Sequence, residues 1–129
     1  MRLIVCGDRD WNDYKGIRQY LALLLAEGID IECVIEGGCR GADQLAKTAA
    51  TELGITVSEF LPKWETHGKA AGPIRNRQML TVGMATNVVA FHNDLEHSKG
   101  TLDMVTQAQK AGIPVIVIGG NYDGETNAA

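Results

Sequence analysis

Short apolar, β-branched runs alternate along the chain with stretches whose apolar residues recur at helical spacing. Residues 2–6 (RLIVC), 32–36 (ECVIE), 55–61, 87–91 (NVVAF) and 113–118 (IPVIVI) read as strands. Between them, residues 14–27 carry Ile17, Leu21, Leu24 and Leu25 at helical intervals. Residues 42–53 place Ala42, Leu45, Ala46, Ala49 and Leu53 on one helical face. Residues 73–83 predict a helix with Pro73 in its first turn, where a missing N–H costs little. Residues 101–111 predict another, stopped by Gly112. The longest interval without a regular pattern is 62–72, and a loop of that length in a compact domain is often functional.

Nearly continuous apolar strands alternating with helices imply a parallel sheet covered on both faces. Right-handed crossovers then give a single doubly wound α/β domain with five parallel strands over residues 1–118. The polar tail, 119–129, is expected to fray. No second domain, linker or internal repeat is visible.

Composition narrows the function classes. The chain has 129 residues, 45% hydrophobic and 22% charged, the balance of one ordinary globular domain. No apolar run approaches the ~20 residues of a membrane helix. The opening MRLIVCGDRD is too short for a signal peptide, so a cytoplasmic setting is expected. A net charge of −4 argues against duplex DNA as the partner but leaves room for a small anion on a local cation cluster. Cys6, Cys33 and Cys39 are odd in number and lack CxxC spacing, so neither a disulfide framework nor a zinc site is expected. Cys6 and Cys33 read as core residues; Cys39, in a Gly-rich loop, reads as a filler, with a reactive thiol as the alternative. His67, His92 and His97 also lack ligand spacing and read as solvated loop residues. No metal and no cofactor are expected.

Ligands of such a sheet bind beyond the carboxyl ends of the strands. Those ends carry Gly7-Asp8-Arg9-Asp10-Trp11, then Gly37-Gly38-Cys39-Arg40-Gly41-Ala42-Asp43. Next come Pro62-Lys63-Trp64, running on to Gly68-Lys69-Ala70-Ala71-Gly72-Pro73-Ile74-Arg75-Asn76, and then His92 to His97 followed by Ser98-Lys99-Gly100-Thr101. Seven of the twelve cations fall there: Arg9, Arg40, Lys63, Lys69, Arg75, Arg77 and Lys99. Glycines let backbone N–H groups approach a phosphate, and helix N-termini add partial positive charge. Trp11 or Trp64 can stack on a base. The convergence points to a nucleotide or nucleotide-derived ligand. GGCRGAD is neither a Walker loop nor GxGxxG, so ATP hydrolysis and ordinary dinucleotide binding are disfavoured. Its plainer reading is a tight strand-to-helix turn, with Asp43 complementing the helix dipole. Thr101 most simply caps its helix.

Taken in order, these G-x-R-x-W, GG-x-x-GAD, GKAAGP-x-RN and KGT elements, with Met79, resemble the YspA-like, YpsA-related branch of the SLOG superfamily. That group also holds the LOG enzymes and the DNA-processing protein DprA. The resemblance runs from about residue 3 to about residue 118. It implies a Rossmann-like sheet with the first strand central and a nucleotide-related ligand held by these loops. LOG enzymes cleave the N-glycosidic bond of nucleoside monophosphates. Arg75 with Met79, and Gly100-Thr101, look like two elements of that machinery. The LOG acidic residue stands three positions after the threonine; here that position is Met104, and Asp103 precedes it. Helical neighbours lie about 100° apart, so the two positions are not equivalent.

Three functions are therefore in contention. The first is a module that senses, sequesters or processes a nucleotide-derived ligand, bound by Gly7, Arg9, Trp11, Gly37, Gly38, Arg40, Gly41, Asp43, Trp64, Lys69, Gly72, Arg75, Asn76, Lys99, Gly100 and Thr101. The second is an N-glycosidic hydrolase with Arg75 and Asp103 as its catalytic pair, or with Asp43 or Asp8 as the carboxylate. The third, disfavoured by the charge, is a single-stranded nucleic-acid binder. A homodimer is expected by analogy with fold relatives.

Overall fold

The computed structural model describes residues 1–119, so the expected tail beyond Gly119 lies outside the described residues. Five strands, β1 (Arg2–Gly7), β2 (Cys33–Glu36), β3 (Val57–Glu59), β4 (Asn87–Phe91) and β5 (Val115–Ile118), form one sheet in the order β3-β2-β1-β4-β5. Every pairing is parallel, and the first strand is central.

Side-chain alternation along the strands divides the core in two. Ile4, Cys6, Ile35, Val88, Ala90, Val115 and Val117 face one side. There they pack on α4 (Ala71–Thr81) and α5 (Gly100–Lys110) through Met79, Leu80, Met104, Val105 and Ala108. Leu3, Val5, Val34, Val89 and Phe91 face the other side, against α1 (Tyr14–Ala26) and α2 (Ala42–Glu52). Asp13 starts α1 by accepting the N–H of Gly16 on Oδ1 at 3.0 Å. Ile17 and Leu21 of α1 are fully buried, whereas Leu25 is exposed, because the sheet reaches only one side of that helix. The alanines of α2 (Ala42, Ala46, Ala49 and Ala50) are fully buried, their small size letting the helix lie close on the sheet.

Two stretches differ from the sequence pattern. Residues 62–72 are not irregular: they form a short helix α3 (Trp64–His67), a 3₁₀ turn (Gly68–Ala70) and the start of α4. Gly68, Gly72 and Pro73 read as breakers, but Pro73 is the third residue of α4, where its N–H would have no intrahelical partner. The third strand is shorter than 55–61, because β3 is an edge strand paired only with β2. Leu61 lies beyond it, 60% exposed.

Candidate functional site

The carboxyl ends of β1, β2 and β4 and the N-termini of α4 and α5 surround a cavity of about 410 Å³. The turn after β1 contributes Gly7, Asp8, Arg9 and Asp10; the turn after β2 contributes Cys39, Arg40 and Asp43. Arg75, Asn76 and Met79 enter from α4. His92, Ser98, Lys99, Gly100, Thr101 and Met104 enter from the β4–α5 side, and Cys6 also lines the cavity. Four of the seven cations expected at this edge therefore meet: Arg9, Arg40, Arg75 and Lys99. Lys63, Lys69 and Arg77 do not line it.

Backbone contacts hold the first two turns together. The Ala42 N–H donates to the Asp8 carbonyl at 3.1 Å, and the Asp8 N–H donates to the Phe91 carbonyl at 2.9 Å. Gly41 has φ +79°, and a Cβ there would lie 2.3 Å from the Asp8 carbonyl oxygen. The glycine before Ala-Asp is thus what lets the β2 turn lie against the β1 turn. Arg40 Nη2 meets Asp10 Oδ1 at 3.3 Å, an exposed pair of small energetic weight.

Arg75 is 7% exposed, buried among the loops it connects. Its Nη1 donates to the Gly37 carbonyl, and its Nε donates to Asn76 Oδ1 at 3.0 Å. That second bond orients the Asn76 amide, whose Nδ2 donates to the Gly100 carbonyl at 3.2 Å and to Asp103 Oδ2 at 2.9 Å. Gln107 Nε2 also donates to Asp103 Oδ2, at 2.8 Å. One polar chain therefore ties the β2 turn, α4 and the first turns of α5 together. Among the described residues Arg9, Arg75 and Lys99 make no ion pair within 4.0 Å, so their charge is available to a ligand.

Asp43 is the buried carboxylate of the cavity. Its Oδ2 accepts the N–H groups of Gly37 at 3.1 Å and Cys39 at 3.2 Å. Burial pushes its carboxyl up from 3.8 to about 6, against the opposing pull of those N–H groups and of Arg75 and Arg9. Beneath the same turn, fully buried Glu36 accepts the Gly38 N–H on Oε1 at 2.7 Å. Burial, and then the adjoining Glu59 carboxyl, hold Glu36 well above the usual carboxylate range. Its Oε2 is buried without a hydrogen-bond partner among the described residues.

Two expectations are corrected by the geometry. Ser98, not Thr101, supplies the hydroxyl at the start of α5: Ser98 Oγ accepts the Thr101 N–H at 3.1 Å, and Thr101 is buried. His92 is not solvated. It is buried at the end of β4, its Nδ1 accepts the Asp94 N–H at 2.9 Å, and it lines the cavity.

Other candidate residues lie outside this cavity. Trp11 packs on Phe91 with ring centroids 5.7 Å apart, and its Nε1 is buried without a partner among the described residues. Asp103 does not line the cavity and is held by Asn76 and Gln107. Lys69 is exposed on the 3₁₀ turn, and Gly72 lies in α4, where an added Cβ would stand 3.7 Å from the Trp64 ring. Trp64, Gly37 and Gly38 belong instead to an adjoining cavity of about 510 Å³, which shares Arg9, Cys39 and Arg40 with the first. The sequence reading placed His92 in a loop at this edge but took it as solvated, and it read Cys6 as core only. Their place at the carboxyl ends of the central β1 and β4 was the available signal.

With that geometry in view, relatives can be compared. Residues 1–67 match the YspA, cpYpsA-related SLOG family (YAcAr). Gene 61 protein of Mycobacterium phage D29 is 39% identical over 123 residues, spanning 92% of this chain and 96% of that protein. The chain belongs to the YAcAr SLOG family. A DNA processing protein A (DprA) structure from Streptococcus pneumoniae superposes with a TM-score of 0.73 at 18% identity, over 98% of this chain and 53% of that one. At that identity the likeness is one of fold, and this SLOG chain spans about half of the DprA chain. Both the family match and that likeness agree with the resemblance read from the loop motifs.

Proposed function

We propose that this SLOG-family chain binds a nucleotide or nucleotide-derived phosphorylated ligand in the cavity at the carboxyl edge of its sheet. One observation carries the reading: in a protein of net charge −4, Arg9, Arg40, Arg75 and Lys99 reach one cavity from four different segments. Its volume of about 410 Å³ suits one small ligand, since such pockets run ~300–1,000 Å³. The N-terminus of α5, opened by Gly100 and flanked by Lys99, supports a phosphate there. No helix among the described residues is long and apolar enough to cross a membrane, and a cytoplasmic ligand pool fits this reading. Thermal-shift measurements against ribonucleoside and deoxyribonucleoside phosphates test it. Saturable stabilisation by at least one is expected; none by any of them overturns the reading.

Asp43 favours a second reading, N-glycosidic hydrolysis. A carboxyl raised to about 6 and facing the same cavity as Arg75 is suited to stabilise a ribosyl cation or activate water. In that reading Arg75 holds the substrate, and Asp103 acts through Asn76. Chromatography after incubation with nucleoside monophosphates tests it. Free base that disappears in Asp43→Asn supports hydrolysis, and bound but intact nucleotide rejects it.

A further inference from the structure

The cavity that holds Arg75 has a second chamber beside it. The two share Arg9, Cys39 and Arg40 as a common wall. Their linings differ in kind. The first combines Arg75 and Lys99 with Asp8, Asp10 and Asp43. The second, about 510 Å³, is lined by no carboxylate: beyond the shared wall it has the backbone of Gly37 and Gly38 and the side chains of Leu61, Pro62 and Trp64.

Leu61 and Trp64 are 60% and 50% exposed, and both lie at this chamber. Together with Pro62 they form an apolar face beside the shared cations, which suits a flat apolar occupant. The fold sets them there. Leu61 follows the edge strand β3, Trp64 opens α3, and Pro62 lies between. Gly38, at φ +77°, would carry a Cβ 2.3 Å from Leu61 Cδ2, so this glycine lets the side chain lie against the β2 turn. Each chamber alone falls in the ~300–1,000 Å³ range of a complete small-ligand site.

We infer that the ligand has two nucleoside lobes joined through phosphate: a dinucleotide linked 5′ to 5′ by pyrophosphate, held across the two chambers by their shared cations and not, as in ordinary dinucleotide folds, on a GxGxxG turn. The linkage lies at Arg9 and Arg40, the exposed cations common to both chambers. One nucleoside occupies the Arg75–Lys99 chamber. The base of the other stacks on Trp64, with Leu61 and Pro62 at its edges. This inference rests on the nucleotide-binding reading above and specifies the ligand class.

Isothermal titration of the full chain tests it, with each nucleoside 5′-monophosphate, its matched symmetrical 5′,5′-pyrophosphate dinucleotide and a thymidylate octamer. At least one dinucleotide is expected to bind roughly ten-fold or more tightly than its monophosphate, since the second base adds a stacking contact. Trp64→Ala is expected to weaken the dinucleotide by about ten-fold, more than it weakens the monophosphate, and Trp64→Phe to restore most of that loss. Quenching of tryptophan fluorescence by the dinucleotide, lost in Trp64→Phe, places the second base. Monophosphates that bind as tightly as every dinucleotide overturn the two-lobed ligand and leave the nucleotide-binding reading standing. An octamer that binds more tightly than every dinucleotide, with a steep salt dependence, overturns it in favour of a single strand. No binding by any probe overturns both readings.

Discussion

Arg75 and Gly37 are fitted to each other: Nη1 of the arginine donates to the glycine carbonyl, and a Cβ on Gly37 would stand 2.4 Å from that same nitrogen. The buried contact joins the turn after β2 to α4. It also explains why a glycine follows β2 at this position. The guanidinium is buried and cannot swing aside without leaving its partners in Asn76 and Gly37.

Gly37→Ala is therefore expected to displace Arg75. Loss of a buried hydrogen bond from a charged donor costs about 1.5–3 kcal/mol. The denaturation midpoint should fall accordingly, and nucleotide affinity should fall with it. Gly54→Ala is the informative control: φ is +76° there, but a Cβ meets nothing within 4 Å, so only backbone strain of stability is expected and affinity should hold.

Asn76 links Arg75 to α5. Asn76→Ala removes the acceptor of Arg75 Nε and the donor to Gly100 and Asp103. A loss of about 1–3 kcal/mol is expected from the stranded buried groups. Amide exchange should quicken at the start of α5, which a deletion that merely shortens a side chain would not produce. Asp103→Asn should have a smaller effect on stability, because Asp103 is only half-buried and Gln107 can turn its amide.

Much of this arrangement is legible in the sequence, and the reasons for the rest are physical. Leu3 to Cys6 are buried on both sides of the central strand, so period and composition alone mark β1 as a parallel-sheet strand. The glycines and cations of the loops are visible because topology sends them to one edge. What the sequence hides is partner choice. Arg75 bonds a carbonyl rather than a carboxylate, and no residue type announces that. Ser98 and Thr101 are both able to cap α5, and only the chain path selects Ser98. His92 is buried because it closes β4, although histidine among Asn and Asp reads as solvated. Residues 64–70 form short helical turns whose glycine and proline content mimics a loop.

The pH dependence of binding should centre on Asp43. Its carboxyl is raised by burial to about 6, so the proton is held more tightly in the folded chain than in the unfolded one. Its contribution to stability is full below 3.8 and is lost as pH rises through about 6. A bound anion favours the protonated form further. Asp43→Asn is expected to bind the nucleotide more tightly than the natural chain at about pH 8 and equally at about pH 5. A ratio of affinities that does not change with pH contradicts this role.

The Glu36–Glu59 pair should act on stability in the alkaline direction. Glu36 is raised, so its contribution is present at low pH and lost as pH rises through its folded value. Glu36→Gln keeps an oxygen for the Gly38 N–H and removes the buried carboxyl that must ionise. The variant should lose less stability than the natural chain between about pH 7 and about pH 9.5, as read by urea midpoints.

Cys39 reports on the wall between the two chambers. It is half-buried, whereas Cys6 and Cys33 are buried. Alkylation of the native protein should label Cys39 first, and saturating nucleotide should slow that labelling several-fold by covering the thiol. Mass mapping of the modified peptide reads the result.

The convergence of separate segments on one anion is tested most directly by a titration of the preferred nucleotide into Arg9→Ala, Arg40→Ala and Lys99→Ala. These side chains come from the turns after β1, after β2 and before α5. Each substitution should weaken binding, by about ten-fold where the cation bonds phosphate directly, while leaving the unfolding free energy from urea titration within about 0.5 kcal/mol. Binding that persists unchanged in two or more of the three variants would contradict a shared phosphate cup.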